Sequence, residues 1–208
     1  MTSFIVSGTD TGIGKTLLSS LFMASLPEYH YWKPVQSGTE DGTDSETVCR
    51  QSECTRDSMI KEAYIFSAPL SPHAAAKIDG MKIEASHLRL PDVRPLIVEG
   101  AGGLLVPLTD RLLFIDVFRS WELPLVLACR SALGTINHTL LSLEALRARK
   151  IPLAGCVVIG EENPGNEEAI EEYGGVPILG TIPHLDVIDA PTLREVFKNK
   201  FKTFRAIL

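Results

Sequence analysis

The chain has 208 residues, 45% of them hydrophobic and 22% charged, and carries a net charge of −6. That length predicts one domain spanning residues 1–208, with apolar residues enough for a sizeable core and a composition unlike that of a disordered chain. An acidic balance with no Lys/Arg-rich run lacks the basic footprint of a nucleic-acid binder, and no stretch approaches the roughly 18 apolar residues of a membrane span. The amino terminus enters a strand-like run at once, with neither the basic region nor the cleavage site of a signal peptide, so a cytoplasmic location is expected. Cys49, Cys54, Cys129 and Cys156 form no C-x-x-C pair and are expected to be reduced thiols, not zinc ligands.

Short apolar runs alternate with helix-period segments along the chain. The first strand is predicted at Phe4–Ser7 and the first helix at Lys15–Leu26, with Leu17, Leu18, Leu21 and Phe22 at helical spacing. A second strand is read at Tyr31–Val35, followed by a Gly- and Asp-rich loop over Glu40–Asp44 and a Pro-punctuated loop over Ala68–His73. Strands follow at Leu96–Glu99 and Leu123–Ala128, then a helix at Asn137–Lys150 with Leu140, Leu143 and Leu146 on one side. A strand at Cys156–Ile159, a helix at Asn166–Tyr173 stopped by Gly174, a strand at Ile178–Leu179 and a final helix opening near Pro191 complete the pattern. Near-continuous apolar strands suit burial on both faces, and their alternation with helices reads as α/β with a parallel sheet.

The strongest local signal is Gly8-Thr9-Asp10-Thr11-Gly12-Ile13-Gly14-Lys15-Thr16, placed after a strand and opening a helix. That is the context of a phosphate-binding loop, in which backbone N–H groups and the helix N-terminus converge on phosphate oxygens. Lys15 would reach the phosphates and the Thr16 hydroxyl would hold Mg²⁺. The loop is a variant, because the usual spacing puts the first glycine at Thr9, whereas Gly8 lies one residue earlier.

Lys33-Pro34-Val35-Gln36-Ser37-Gly38 follows the second strand, which places Lys33 at the carboxyl edge of a parallel sheet, where open α/β folds bind ligands. Glu99 ends an apolar strand and precedes Gly100-Ala101-Gly102-Gly103, the place of an acidic metal partner. One or two carboxylates with a hydroxyl and phosphates suffice for Mg²⁺, so Thr16, Glu99 and an acid of the 41–44 loop are the candidate set. Spacing does not choose between Asp44 and Asp41; Asp41, Glu40 and Glu46 compete for the loop role and read by default as a solvated face.

Taken together, these motifs resemble the dethiobiotin synthetase family over most of the chain. The carrying segments are the loop from Gly8 to Thr16, Lys33 to Gly38, Ser71-Pro72-His73, Val98 to Gly103, Leu133 to His138, Leu153-Ala154-Gly155 and Leu179 to Pro183. The resemblance implies a P-loop NTPase-type three-layer sandwich with a mainly parallel sheet of about seven strands, and a homodimer. It implies a cyclo-ligase that carboxylates 7,8-diaminopelargonic acid with CO₂ and closes the ring to dethiobiotin through a carbamate and a carbamic–phosphoric anhydride, using ATP and Mg²⁺. By this resemblance Lys15, Lys33, Thr11 and Ser37 serve catalysis. Gly12, Ile13, Gly14, Lys15, Thr16, Leu17, Asp44, Glu99, Gly100, Ala101, Gly102, Pro183, His184 and Leu185 bind nucleotide, and Thr16, Asp44 and Glu99 bind the metal. The segment Gly134–Asn137 would open a helix whose N-terminus receives the substrate carboxylate across the dimer interface, although Thr135 and Asn137 read equally as plain helix caps. His73 is read as a loop hydrogen-bonder and His138 as a first-turn residue.

Two departures matter. Ile159-Gly160 stand where better-known members of the family place an Asn-Asp pair whose Asn reads the adenine edge, so relaxed base recognition is expected, with GTP or CTP able to replace ATP unless backbone groups take over. Asp10 stands where the similarly folded partition-type ATPases carry a second lysine. That departure counts against the alternative reading, a switch-type P-loop ATPase of the partition or positioning class.

Overall fold

A computed structural model describes residues 2–201 and Phe204. In chain order its strands are β1 (Phe4–Gly8), β2 (His30–Trp32), β3 (Val35–Ser37), β4 (Met59–Ile60), β5 (Tyr64–Phe66), β6 (Leu96–Gly103), β7 (Pro107–Thr109), β8 (Leu112–Leu113), β9 (Leu125–Arg130), β10 (Leu153–Ile159) and β11 (Ile178–Ile182). Its helices are α1 (Lys15–Ser25), α2 (Asp44–Ser52), α3 (Pro72–Ile78), α4 (Phe114–Trp121), α5 (Thr135–Ala148), α6 (Pro164–Gly174) and α7 (Ala190–Lys200). Seven strands form the central sheet in the order β11-β10-β9-β1-β6-β2-β4, and every pairing in it is parallel.

Strand parity divides the core into two layers. Phe4 and Val6 of β1 and Ile97 of β6 face α1 and α7, whereas Ile5, Leu96 and Val98 face α4 and α5. The first layer is rich in aromatic rings: Phe22 meets Phe4 edge-on at 5.1 Å and stacks on Phe204 at 4.6 Å, with Phe197 and Phe201 around them. This layer fixes α1, and therefore the loop that precedes it, against the sheet. The opposite layer joins Phe114, Phe118 and Trp121 of α4 to Leu143 and Leu146 of α5. The three-layer expectation is met. Among the described residues no helix is long and apolar enough to cross a membrane, and all four cysteines are free.

Several boundaries differ from the sequence reading. The expected strand Tyr31–Val35 is two strands in two sheets, because Pro34 offers no N–H to a ladder and its carbonyl instead accepts from Ala63 and Tyr64. The expected strand at Leu123 starts at Leu125, since Pro124 likewise serves only as an acceptor, for the Ile5 N–H. Helix α5 opens two residues before Asn137, at a Gly134 cap with φ of 92°. Helix α6 begins at Pro164 under an Asn163 cap, and Gly174 is its last residue, with Gly175 in the left-handed cap. Helix α2, for which no element was expected, takes the last residue of the Glu40–Asp44 loop as its first, under a reciprocal capping box between Thr43 and Glu46.

Phe22 sits at the centre of the aromatic layer with no exposed surface. Replacing it, Phe22→Ala, should cost about 3–5 kcal/mol. Urea unfolding should show the loss as a lower midpoint with an unchanged slope.

Candidate active site

The site grows from the parity of two parallel strands and one helix. Ile97 and Glu99 alternate on β6, so Glu99 points to the α1 side, with no exposed surface. Tyr31 of β2 faces the same way, and Lys33, two residues on, continues its face just past the strand end. On α1, Thr16 and Ser19 are three apart and share one face. All four side chains meet at Glu99. Its Oε1 accepts from Lys33 Nζ at 2.8 Å and from Thr16 Oγ1 at 3.2 Å. Its Oε2 accepts from Ser19 Oγ at 2.6 Å and from Tyr31 OH at 3.0 Å.

The first residue of α2 completes the cluster. Asp44 Oδ1 accepts from Thr16 Oγ1 at 2.8 Å, and its other oxygen forms an ion pair with Lys33. Gln36 Oε1 accepts the Asp44 N–H at 3.1 Å while its amide donates to the Gly38 carbonyl at 2.9 Å, which ties the start of α2 to β3. Asp41, the competing acid, is exposed, and the Glu46 carboxylate is spent on the capping box. Of the two acids, Asp44 is the one that joins the cluster.

Burial sets the charges. Lys33 is only 4% exposed; burial alone would push its ammonium down, but Glu99 and Asp44 outweigh that and hold its pKa above the ordinary lysine value. Burial also opposes ionisation of Asp44, yet Lys33 and the Thr16 hydrogen bond leave its carboxyl below the usual range. Burial, with Glu99 beside it, lifts the Tyr31 phenol well above its usual value. Lys15 differs: burial dominates and lowers its pKa to about 8, with Glu99 pulling the other way.

The phosphate loop lies above this cluster. Gly12 and Gly14 take φ of 68° and 99°, a region that side chains disfavour. A Cβ on Gly14 would also sit 3.0 Å from the Ile159 side chain. Lys15 Nζ donates to the Asp10 carbonyl at 2.9 Å, and the Asp10 carboxylate pairs with Arg130 at the end of β9, also at 2.9 Å. A cavity of about 680 Å³ opens between this loop and the segment Pro69–Pro72. Thr11, Gly12, Gly14, Lys15, Thr16, Lys33, Ser37, Asp44, Glu99, Ala101 and Gly102 of the predicted set border it. The Ser37 hydroxyl is buried there without a hydrogen-bond partner.

Other predicted residues lie elsewhere. Ile13 is buried in the α1 layer, Leu17 sits half-buried on α1, and Gly100 turns away from the cavity, where a Cβ would meet the Phe118 ring at 2.7 Å. Pro183, His184 and Leu185 follow β11 and do not border the cavity; His184 is exposed. His73 does hydrogen-bond within its loop, to Ser71 Oγ at 3.0 Å. Neither Thr135 nor Asn137 caps α5: the cap is Gly134, and the Thr135 hydroxyl is buried without a partner. Sequence reasoning missed Ser19, Tyr31 and Gln36. The period of two from Tyr31 to Lys33 and the i, i+3 step from Thr16 to Ser19 were signals for the first pair.

Comparison with known proteins is consistent with this geometry. The AAA domain family model matches residues 2–192. The ATP-dependent dethiobiotin synthetase BioD of Agrobacterium fabrum (strain C58 / ATCC 33970) is 51% identical over 199 residues, 95% of this chain and 93% of that protein. The protein of the same name from Novosphingobium aromaticivorans is 46% identical over 97% of this chain and 98% of its own length. The chain belongs to the dethiobiotin synthetase family. The crystal structure of a ParA family ATPase from Chlorobium tepidum superposes with a TM-score of 0.57 at 13% identity, covering 99% of this chain and 93% of that one. That likeness shows a shared fold alone; in this chain Asp10 is tied to Arg130.

Phosphate bound at Lys15, as the sequence reading expects, would favour its charged form. Affinity for ADP should therefore be steady below pH 8 and weaken above it, where the free protein begins to lose that proton. Calorimetric titrations from about pH 7 to about pH 9.5 check this; an affinity unchanged across that range would show that Lys15 keeps its proton.

Proposed function

We propose that the chain is an ATP-dependent cyclo-ligase that carboxylates 7,8-diaminopelargonic acid with CO₂ and closes the cyclic urea of dethiobiotin, the penultimate step of biotin synthesis. The observation that carries this reading is the pair of buried ammonium groups, Lys15 and Lys33, bordering one cavity. The reaction needs such a pair. One substrate amine adds CO₂ and loses a proton, giving a carbamate anion that must approach a triphosphate. The carbamate oxygen then takes the γ-phosphoryl group and ADP leaves. The second amine attacks the carbamate carbon, and the ring closes as phosphate departs and a proton is lost. The nucleophiles belong to the substrate, so the protein supplies position and charge.

Lys15 serves the nucleotide phosphates, and Lys33 bridges carbamate and γ-phosphate as charge moves between them. Thr11 at the mouth and the unpartnered Ser37 hydroxyl are placed to hold the carbamate or the amines. Thr16, Asp44 and Glu99 present hard oxygens within hydrogen-bond reach of one another, a donor set that fits Mg²⁺ with the remaining ligands from phosphate and water. When bound, Mg²⁺ would neutralise phosphate charge and orient the triphosphate.

We also propose that the base is weakly read. The Ile159 side chain is apolar, and its carbonyl is already taken by the Ser131 N–H at 3.1 Å. The Gly160 N–H donates to the Ile182 carbonyl at 2.9 Å. Of the nearby amides, the Asn163 side-chain oxygen caps α6 and the Asn166 NH₂ group donates to the Ser131 carbonyl at 2.9 Å. A homodimer accords with an apolar groove of about 520 Å³ flanked by the exposed Leu105 and Leu141, beside the side-chain-free cap of α5 at Gly134. In that assembly the α5 N-terminus would receive the substrate carboxylate of the second copy.

Phosphate release from ATP with Mg²⁺ and bicarbonate should require 7,8-diaminopelargonic acid. Lys33→Ala should abolish turnover while largely keeping ADP binding. Diamine-independent hydrolysis, or full turnover by the variant, would refute the assignment. At subsaturating concentration GTP and CTP should support turnover within about tenfold of ATP, a gap of about 1.4 kcal/mol; a strong preference for ATP would show that the base is read by groups other than these.

A further inference from the structure

Lys33 and a divalent cation compete for the same oxygens. Lys33 Nζ holds Glu99 Oε1 and one oxygen of Asp44, and Thr16 Oγ1 bonds Glu99 Oε1 and the other oxygen of Asp44. The ammonium thus lies among the very groups assigned above to Mg²⁺. We infer that Lys33 is the resident counter-cation of the metal site, and that a divalent cation enters only by expelling its ammonium toward the phosphate side of the cavity. This rests on the reading of Thr16, Asp44 and Glu99 as cation ligands.

The carboxylates are fixed and the ammonium is not. Glu99 Oε2 is occupied by Ser19 and Tyr31, both buried, so the carboxylate cannot rotate to offer a second free oxygen without stranding two hydroxyls. Asp44 is held at its backbone by Gln36 and at Oδ1 by Thr16, and it begins a helix locked by a capping box. Lys33, by contrast, carries its charge on a flexible four-carbon stem and already borders the cavity. An ammonium and a divalent ion on one carboxylate oxygen repel, so the side chain with freedom to move is the one displaced. Lys33 is then withheld from the γ-phosphate until the cation has arrived. The lysine that promotes phosphoryl transfer and the cation that neutralises it are delivered by one event.

Binding of Mn²⁺ alone, followed by electron paramagnetic resonance, tests the competition without turnover. Lys33→Met should bind Mn²⁺ at least about tenfold more tightly than the wild-type protein, because the competing charge is gone. Equal or weaker binding by the variant overturns the inference. Thr16→Val should weaken binding; unchanged affinity would mean that the ion sits elsewhere, which removes the ligand assignment and the inference with it. The wild-type protein gives an independent readout. Its buried Lys33 ammonium should give a side-chain ¹⁵N signal, identified by its loss in Lys33→Met, that shifts on saturation with Mg²⁺. Because through-bond correlation to the Lys33 backbone also identifies that signal in the wild-type protein, a signal unmoved at saturation overturns the inference even if the variant does not fold.

Discussion

The arrangement depends on one constraint: a fully buried glutamate must be neutralised where water cannot help. Removing a carboxylate from water costs several kcal/mol even after relaxation, and an unpaired buried charge is among the most destabilising features a fold can carry. Glu99 is matched by one ammonium and three hydroxyls, drawn from β2 and the residue just past it and from α1. Each partner has to arrive at a set height along its element, so the register of β2 against β6, Tyr31 opposite Ile97 and Trp32 opposite Val98, is fixed by electrostatics as well as by packing. The aromatic layer on α1 supplies the force that keeps Thr16 and Ser19 within reach.

Much of this was legible in the sequence because the signals were local. Gly14-Lys15-Thr16 after Phe4–Gly8 defines a strand, a turn and a helix start from adjacent residues, and the structure has them within one position of the reading. Glu99 was found because it ends an apolar run. What escaped was non-local or interrupted by proline. Tyr31 looks like a core aromatic, and only the alignment of β2 beside β6 reveals its hydroxyl on Glu99. The Lys33 strand breaks because Pro34 cannot donate, so a single apolar run became two strands in different sheets. The choice of Asp44 over Asp41 depended on α2, whose apolar content is low but whose Thr43–Glu46 capping box was written in the sequence.

The nucleotide-facing end of the sheet shows the converse. At β6 and the end of β2 the polar side chains of Glu99, Tyr31 and Lys33 are gathered and engage one another. At the end of β10 the side chain is an isoleucine packed on Gly14, and backbone groups there bond one another. Polar side chains are thus concentrated around Glu99, and the end of β10 is closed by packing.

The Asp10–Arg130 pair has a consequence for how chains of this fold diverge. The position that carries a lysine in partition-type ATPases is here an acid clasped by a cation from β9. A lone Asp10→Lys change would set two positive side chains against each other beside the phosphate loop and orphan Arg130, whose Nε is already buried without a partner. The two positions are therefore coupled in this chain: a basic residue at 10 is accommodated best when Arg130 changes with it, so a likeness of fold does not by itself make this position interchangeable.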